Sequence, residues 1–509
     1  MSSVVPVFED LSFYSNPKGQ EGRYNELTSK FNQYFPDAKI DFFSRSPGRV
    51  NVIGDHIDYN FFPVLPMAIE VDVVAAVSIN ESNKIKITNV DNDDFPAQTI
   101  EIPGDPKQTV SISQEHSWGN YFKCGLIVAH KFMMENRGLT TSLKGMNLTF
   151  SGTVPTGGGL SSSAAFCVAS TLAVLYANGV KDITKSDLTK ITVVSEHYVG
   201  VQTGGMDQCA SVYGESSKAL LIQFKPELKG IPFEFPVKDL TFVITNSLQV
   251  ANKHETAPIH YNLRVVEMGI ASDLLAKKLG LSGLPQDSNV KSSSLRGVMD
   301  GYYTSVLKQD VWDGNNIEIG IQRLITMTEK VEQELTNQVG YSVEECCQEL
   351  GISEEEFKIK YLSIFPVRFD KLKLYQRAKH VYRESLRVLE TLRLLKSNIT
   401  DPVEFLNQFG KLMNESQLDL DALNNSSNDK LNEICSIALA NGAYGSRITG
   451  AGWGGSLVHL TTTDKAETLK QAFIDQYYKK EFPEITQAEL SEAIIDSKPA
   501  TGSCVITTK

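Results

Sequence analysis

A loop rich in glycine and serine, Pro155-Thr-Gly-Gly-Gly-Leu-Ser-Ser-Ser-Ala-Ala165, most constrains how this chain can fold. Residues 146–150 before the loop are strand-like, and residues 162–177 after it have the composition of a helix. Glycine allows positive φ and lets a ligand approach backbone N–H groups closely. Because the start of a helix adds unpaired N–H donors and the positive end of its dipole, this phosphate loop is predicted to bind phosphate groups.

The alternative for the phosphate loop is a tight turn from strand to helix with a serine cap. No Gly-Lys-Ser/Thr follows the glycines, so the loop is not a Walker A motif, and the signatures of protein kinases are absent. The segment instead matches the Pro-x-x-x-Gly-Leu-x-Ser-Ser-Ala pattern and so resembles the GHMP kinases. That resemblance implies ATP binding by Pro155, Gly157, Gly158, Gly159, Leu160, Ser161, Ser162, Ser163 and Ala164.

Length and charge narrow the class of protein further. A chain of 509 residues exceeds the size of a single hydrophobic core, so two domains are expected. The net charge of −12 argues against general binding to nucleic acid or to anionic membranes. The seven cysteines show no metal-like spacing, and neither a signal peptide nor a membrane-spanning run is recognised. We therefore expect a cytoplasmic protein, and a monomer.

The pattern of strands and helices predicts an α+β protein in both halves, with mixed sheets, helices and an active site in the interdomain cleft. We place an N-terminal domain at residues 1–240 and a C-terminal domain at residues 241–509, with an insert around residues 280–360. Residues 281–297, LSGLPQDSNVKSSSLRG, are predicted to form a polar linker. The resemblance to the GHMP kinases implies the same two-domain fold.

A second motif, Gly48-Arg-Val-Asn-Val-Ile-Gly-Asp-His-Ile-Asp-Tyr59, is dense in polar groups among apolar ones. These polar side chains need partners if they are buried, and a salt-bridge network is one explanation. Binding of a sugar is the other explanation, because each sugar hydroxyl both donates and accepts a hydrogen bond and these side chains supply both kinds of partner. The motif fits the galactokinase signature, and the chain looks most like fungal galactokinases, which transfer the ATP γ-phosphate to the C1 hydroxyl of galactose.

That narrower resemblance assigns sugar-binding roles. It implies that Asp55, His56 and Asp58 hold galactose hydroxyls and that Tyr261 contacts the sugar. Many relatives have glutamate where this chain has Asp55, so the shorter side chain could reach O6 with a different geometry.

The segment Gly204-Gly-Met-Asp-Gln208 resembles the part of the family that carries the catalytic aspartate. Asp207 would accept the proton of the C1 hydroxyl or only orient it, and the two alternatives stay open. Arg49 would lie beside Asp207 and favour the developing negative charge. Gly204 would let the backbone approach the sugar.

Magnesium and adenine are the remaining implied ligands. Ser162 or Ser163, together with Glu196, would bind Mg²⁺, which prefers one or two protein oxygen atoms plus phosphate and water. A solvated helix face is the alternative for Glu196. Trp118 resembles a tryptophan that lines the adenine site, although a core tryptophan would look the same.

A second glycine cluster, Ser446-Arg-Ile-Thr-Gly-Ala-Gly-Trp-Gly-Gly455, contains a formal G-x-G-x-x-G. A dinucleotide-binding site needs a helix after this motif, whereas residues 456–460 are strand-like. The alternative is a glycine-rich β-turn with a structural tryptophan. The cluster resembles the C-terminal GHMP motif, which in the family lies against the phosphate loop.

The resemblance to galactokinases leaves two other functions open. The first is a sensor that binds galactose and ATP and then a transcriptional repressor, alone or in addition to catalysis. The complete run from Leu160 to Ala165 and the presence of Asp207 and Arg49 favour catalysis. The second is an N-acetylgalactosamine kinase, which depends on the space around C2 of the sugar.

Overall fold

The structure is a computed structural model that describes residues 3–113, 115, 117–195, 198, 204–249 and 256–508. Its strands form one large sheet and two small ones. The strands are β1 (Val7–Phe8), β2 (Phe42–Ile53), β3 (Leu65–Asn80), β4 (Lys84–Asn89), β5 (Gln98–Glu101), β6 (Gly145–Gly152), β7 (Lys218–Gln223), β8 (Lys229–Glu234), β9 (Leu240–Asn246), β10 (Gly445–Ile448), β11 (Ser456–Thr462), β12 (Ile494–Ser497) and β13 (Cys504–Thr507).

Helices follow or separate most of these strands. They are α1 (Pro17–Tyr34), α2 (Trp118–Arg137), α3 (Ser162–Ala177), α4 (Lys185–Val193), α5 (Met206–Tyr213), α6 (Tyr261–Lys278), α7 (Leu295–Gly301), α8 (Ile317–Glu334), α9 (Val343–Leu350), α10 (Glu354–Phe357), α11 (Leu374–Leu395), α12 (Pro402–Ala422), α13 (Asp429–Ala440), α14 (Thr463–Phe473), α15 (Lys479–Glu481) and α16 (Gln487–Ala493). Among the described residues, no helix has both the length and the apolarity of a membrane span.

The large sheet has the strand order β1-β13-β2-β3-β6-β4-β5. Its long central strands β2 and β3 are antiparallel and mostly buried, with every residue of β2 out of solvent. Helix α3, whose side chains are nearly all apolar or small, packs with α2 against these strands in one core. Strand β13 pairs with β2, so the last strand of the chain lies in a sheet otherwise built from residues 7–152.

The second sheet is antiparallel, in the order β10-β11-β9-β12. The second glycine cluster connects β10 to β11, so a strand and not a helix follows it, as the sequence predicted. Strand β9 begins at the boundary that we placed near residue 240, and that domain boundary stays a proposal.

The region from α6 to α11 is helical and shares a hydrophobic core with the β7–β8 hairpin and with residues 53–65. The predicted insert around residues 280–360 contributes α7, α8, α9 and α10 to this core. This arrangement brings α11 against the turn that follows β2.

The prediction of a polar linker over residues 281–297 is wrong for its second half. Residues 290 and 292–297 are buried, and α7 begins at Leu295. The serines there are satisfied inside the protein: Ser293 Oγ donates to Asp273 at 2.8 Å, and the amide of Ser294 donates to Asp287 at 3.1 Å. Polar composition therefore misled the prediction, because these serines are satisfied by buried partners, Asp273 of α6 and Asp287 of the same segment, rather than by water.

Candidate active site

The motif Gly48–Tyr59, called the sugar signature below, begins in β2 and continues into the segment before β3, which folds into a tight turn. Gly54 has φ of +109°, and a Cβ there would meet Val388 and Val64 at 3.0–3.2 Å. His56 also has positive φ, at +62°, and a 3₁₀ turn follows at Asp58–Asn60. Because the turn is buried, its polar side chains depend on partners inside the protein.

Asp55 is hydrogen-bonded on both carboxylate oxygens. The Arg447 guanidinium donates to Oδ2 at 2.7 Å, and the amide of Gly450 donates to Oδ1 at 3.2 Å. Burial raises the pKa of Asp55, and the charge of Arg447 opposes that rise. The carboxylate keeps further acceptor positions for a sugar hydroxyl, because two oxygens offer about four in all.

His56 is a neutral imidazole fixed by two hydrogen bonds. Its Nε2 lies 2.8 Å from the Ala451 carbonyl, which can only accept, so Nε2 carries the proton. Nδ1 then accepts from the hydroxyl of Tyr59 at 2.9 Å. Burial lowers the pKa of His56 to about 3. A sugar contact by His56 would therefore have to share one of these nitrogens or use the edge of the ring.

Asp58 lies in direct contact with Gly204. A Cβ on this glycine would come within 2.2 Å of Asp58 Oδ2, so the absence of a side chain makes room for the carboxylate. Burial raises the pKa of Asp58 to about 7, and the negative charge of Asp207 adds to the shift. The site thus contains an acid that changes charge near neutral pH.

Asp207 lies in the first turn of α5, and its side chain is 22% exposed. Arg49 donates from Nε to Asp207 Oδ1 at 2.7 Å and from Nη1 to the Gly159 carbonyl at 2.8 Å. The amide of Arg49 also donates to the Leu160 carbonyl at 3.1 Å. The structure therefore brings together Arg49, Asp207 and the phosphate loop, and their catalytic roles stay predictions.

The phosphate loop has the backbone that its glycines suggested. Gly157 and Gly159 both have φ of +74°, and Ser161 has φ of +61° immediately before α3 begins at Ser162. Leu160 is 1% exposed and belongs to the main core, so its side chain anchors the loop. At the two ends of the loop, Pro155 is half-buried and Ala164 is buried.

The hydroxyl groups at the start of α3 are the donors available to a phosphate or its metal ion. Ser161 Oγ is buried and has no hydrogen-bond partner in the structure. Ser162 and Ser163, which we predicted as magnesium ligands, are half-buried in the first turn of the helix. The unpartnered hydroxyl of Ser161 and the neighbouring hydroxyls of Ser162 and Ser163 fit a site for a phosphate group and its magnesium ion, which prefers oxygen ligands. Glu196, the other predicted ligand, lies outside the described residues.

The second glycine cluster lies against the phosphate loop from the other half of the chain. Ser456 Oγ donates to the Gly158 carbonyl, and a Cβ on Gly450 would come within 2.9 Å of the Gly159 carbonyl oxygen. Gly450, Gly452 and Gly455 all have positive φ, between +69° and +82°. These conformations allow the two backbones to approach more closely than side chains would permit.

Aromatic rings form one wall beside the sugar signature. The Tyr261 ring lies 5.6 Å from that of His56 and 5.8 Å from that of Tyr59, and burial raises the Tyr261 pKa well above its usual range. Trp453 stacks on His260 at 4.7 Å and meets His56 edge-on at 5.5 Å. Tyr261 thus places a neutral hydroxyl group close to the other side chains that are predicted to bind the sugar.

Trp118 begins α2 and lies beside the first turns of α3. Its ring is 5.8 Å from Phe166 and 6.0 Å from Phe95, and its Nε1 donates to the Pro96 carbonyl at 3.0 Å. The ring is half-buried, so both an adenine contact and a purely structural role fit this position.

Family models match three parts of the chain. The galactokinase galactose-binding signature matches residues 29–79, the N-terminal domain of GHMP kinases matches residues 120–215, and the C-terminal domain matches residues 401–480. The fold also resembles a crystal structure of Lactococcus lactis galactokinase complexed with galactose, with a TM-score of 0.65, 21% identity, and coverage of 94% of this chain and 99% of that one. The protein is therefore a two-domain GHMP kinase, as predicted.

Relatives that match this chain over nearly its whole length narrow the family assignment. A galactokinase of Candida parapsilosis is 65% identical over 506 residues, covering 99% of this chain and 98% of the relative. Galactokinases of Schizosaccharomyces pombe and Saccharomyces cerevisiae are 53% and 47% identical, each match covering 99% of this chain and 99% or 98% of the relative. This chain belongs to the galactokinase family.

Two residues of the site were assigned no role from the sequence. Arg447 lies within the second glycine cluster, and Glu384 accepts a hydrogen bond from the amide of Gly54 at 2.9 Å. The only local signal was one charged residue, Arg447, among the small and apolar residues of the second glycine cluster. A buried arginine needs an acid, and that requirement could have directed attention to Asp55.

Proposed function

We propose that this protein transfers the γ-phosphate of ATP to the C1 hydroxyl of galactose, giving galactose 1-phosphate and ADP. The observation that carries the proposal is the position of Arg49, which joins the Asp207 carboxylate to the Gly159 carbonyl of the phosphate loop. Phosphoryl transfer depends chiefly on alignment and on charge stabilisation. Arg49 lies where the acceptor hydroxyl and the transferred group would meet.

Asp207 would accept the hydrogen bond of the C1 hydroxyl, orient it and take up its proton during transfer. The positive charge of Arg49 would stabilise the developing alkoxide. Because the amide and the guanidinium of Arg49 are both hydrogen-bonded to carbonyls of the phosphate loop, the Arg49 side chain would need little reorganisation during the transfer. The side chains of Asp55, His56, Asp58 and Tyr261 would fix the sugar, with Gly204 beside Asp58.

The phosphate loop would hold the ATP phosphates through its backbone N–H groups and the start of α3. Magnesium bound with ATP supplies neutralising charge to the phosphate oxygens. We propose that Ser162 or Ser163, together with Glu196, holds it, since the two serines begin the helix that follows this loop. Trp118 would contact the adenine, because its ring lies against Phe166 of α3, the helix that begins at the phosphate loop.

A coupled assay of ADP release over a panel of sugars tests the proposal. Galactose should be the preferred substrate over glucose, mannose and N-acetylgalactosamine at equal concentration. A clear preference for N-acetylgalactosamine would support the alternative kinase, and no ADP release with any sugar would overturn the proposed reaction.

A repressor partner, which rests on the resemblance to fungal galactokinases, and a cytoplasmic location, which was expected from the sequence, also remain proposals. A pull-down of a transcriptional repressor, with and without galactose plus ATP, tests the first. Capture only when both ligands are present would support a sensing role in addition to catalysis, whereas no capture would remove it. Fractionation of cells tests the location.

A further inference from the structure

Arg447 is a buried cation that holds the carboxylate of Asp55 across the two halves of the chain. It lies on β10, is fully buried, and its Nη2 is 2.7 Å from Asp55 Oδ2. Its other bonds fix its orientation: Nη1 donates to the Asn51 and Val52 carbonyls at 2.9 and 3.2 Å, and Nε donates to Ser416 Oγ at 3.1 Å. The guanidinium therefore has few alternative positions.

Glu384 of α11 supports both members of this pair. Its Oε1 accepts from the amide of Gly54 at 2.9 Å and from Ser416 Oγ at 2.7 Å, and it lies 3.5 Å from Arg447 Nη2. The other oxygen accepts from Arg387 Nε at 3.0 Å. Burial opposes ionisation of Glu384, but the charges of Arg387 and Arg447 outweigh it, so the pKa lies well below its usual range.

The backbone of Asp55 is held by the same helix. His380, one turn before Glu384, has Nε2 at 3.1 Å from the Asp55 carbonyl. One face of α11 thus fixes the main chain at residues 54–55, while Arg447 fixes the side chain. A buried network of charged hydrogen bonds can hold a carboxylate in one orientation, whereas the loss of one charged member leaves a buried charge without a partner.

We propose that Arg447 and Glu384 are positioning residues for sugar binding, with Arg447 aiming the Asp55 carboxylate at a galactose hydroxyl and Glu384 holding Arg447 and the Gly54 backbone in place. The inference rests on the proposed function, in which Asp55 contacts the sugar. It assigns a role in substrate recognition to the helix that follows the insert. Neither residue needs to touch the sugar itself.

Loss of Arg447 should make Asp55 more sensitive to pH, because the largest of the charges that oppose the effect of burial on its pKa would be gone. The titratable and charged groups that bear on Asp55 from the surrounding elements are Arg49, His56, Asp58, Tyr261, His380, Glu384 and Arg447. A comparison of variants that all retain Asp58 isolates the contribution of Asp55.

The test measures KM for galactose and for ATP between pH 6 and pH 9 in R447Q, D55N and D55N/R447Q. R447Q should raise the galactose KM by about 10- to 100-fold near pH 7, because it leaves a buried acceptor without its donor. The ATP KM should stay within about threefold of the wild-type value. The increase in galactose KM should shrink as pH rises and Asp55 ionises.

The double variant separates positioning from a merely structural role. If Arg447 acts through Asp55, R447Q should change the galactose KM little in the D55N background, and the added pH dependence should vanish. An equal increase in both backgrounds, or parallel increases for galactose and ATP, would overturn the proposal. Absence of ADP release in the wild-type protein would instead contradict the proposed function.

Two further variants keep the test decisive if R447Q does not fold. R447K retains the buried charge but cannot hold two carbonyls and a carboxylate together, so it should raise the galactose KM, and D55N should abolish that effect. E384Q keeps the acceptor for the amide of Gly54 and removes the charge beside Arg447. It should raise the galactose KM less than R447K does, and unchanged galactose KM values in both variants would refute the assignment.

Discussion

Arg49 donates from Nε to Asp207 Oδ1 over 2.7 Å while its Nη1 holds the Gly159 carbonyl at 2.8 Å. One side chain thus connects the proposed proton acceptor to the loop proposed to bind the ATP phosphates. The arrangement needs a planar group with several donors, which lysine does not provide. The position of the proton acceptor and that of the loop are therefore coupled.

Replacing Arg49 by lysine should lower kcat by about 100-fold, because one ammonium cannot keep both contacts and a preorganised donor is lost. Steady-state kinetics with galactose and ATP measure the change. R393K is the matched control, because Arg393 is 51% exposed and makes only loose contacts with Glu318 and Glu390. A loss of less than about threefold in R49K would contradict the coupling.

Replacing Gly204 by alanine should raise the galactose KM by about 10-fold or more, because the new Cβ would displace the Asp58 carboxylate. The ATP KM should change much less. G22A is the control, because Gly22 lies in α1 with nothing near its missing Cβ, and alanine there should leave kinetics unchanged. Equal galactose affinity in G204A and wild type would remove the proposed role of Asp58 in sugar binding.

Replacing Ser456 by alanine should raise the ATP KM by about 3- to 10-fold, because the Ser456 hydroxyl fixes the Gly158 carbonyl in the phosphate loop. Nucleotide titration measures this directly. S436A removes a hydroxyl that bonds the Asn432 carbonyl on an exposed helix turn and should change nothing. A normal ATP KM in S456A would mean that the second glycine cluster does not hold the loop.

Asp58 should make stability depend on pH. Its pKa is raised to about 7 in the folded protein, so the folded state binds the proton more tightly than the unfolded state does. The free energy of unfolding should therefore fall as pH rises from about 4 to about 7, by up to about 4 kcal/mol from this group, and then level off.

The D58N variant isolates that contribution from other groups. It should melt at a higher temperature than wild type at pH 8, and the difference should shrink towards pH 5, where Asp58 is protonated in the folded state. Calorimetry across this range measures it. A difference independent of pH would show that Asp58 does not titrate near neutrality.

The local parts of the site follow from the sequence because they are encoded by adjacent residues. The helix predicted over residues 162–177 has these bounds in the structure, and the strand after the second glycine cluster forms as expected. Glycine composition and helix-start chemistry act within a few residues, so a pattern is enough to identify them.

The partners of the sugar signature could not be found in this way. Asp55 depends on Arg447, and Gly54 depends on Glu384, both contributed by distant segments. Which buried acid meets which arginine is decided by the packing of α11 and β10 against the turn, and no local pattern records it. Ser293, buried and bonded to Asp273 of α6, escaped prediction for the same reason.

The most direct test of the account is the turnover of D207N with galactose and ATP, beside the binding of both ligands. We expect kcat to fall by at least about 1,000-fold, while calorimetric affinities for galactose and ATP stay within about threefold of wild type. D464N, which alters an exposed aspartate in the first turn of α14, should turn over normally. Near-normal turnover in D207N would contradict the role of Asp207 as the group that receives or orients the proton.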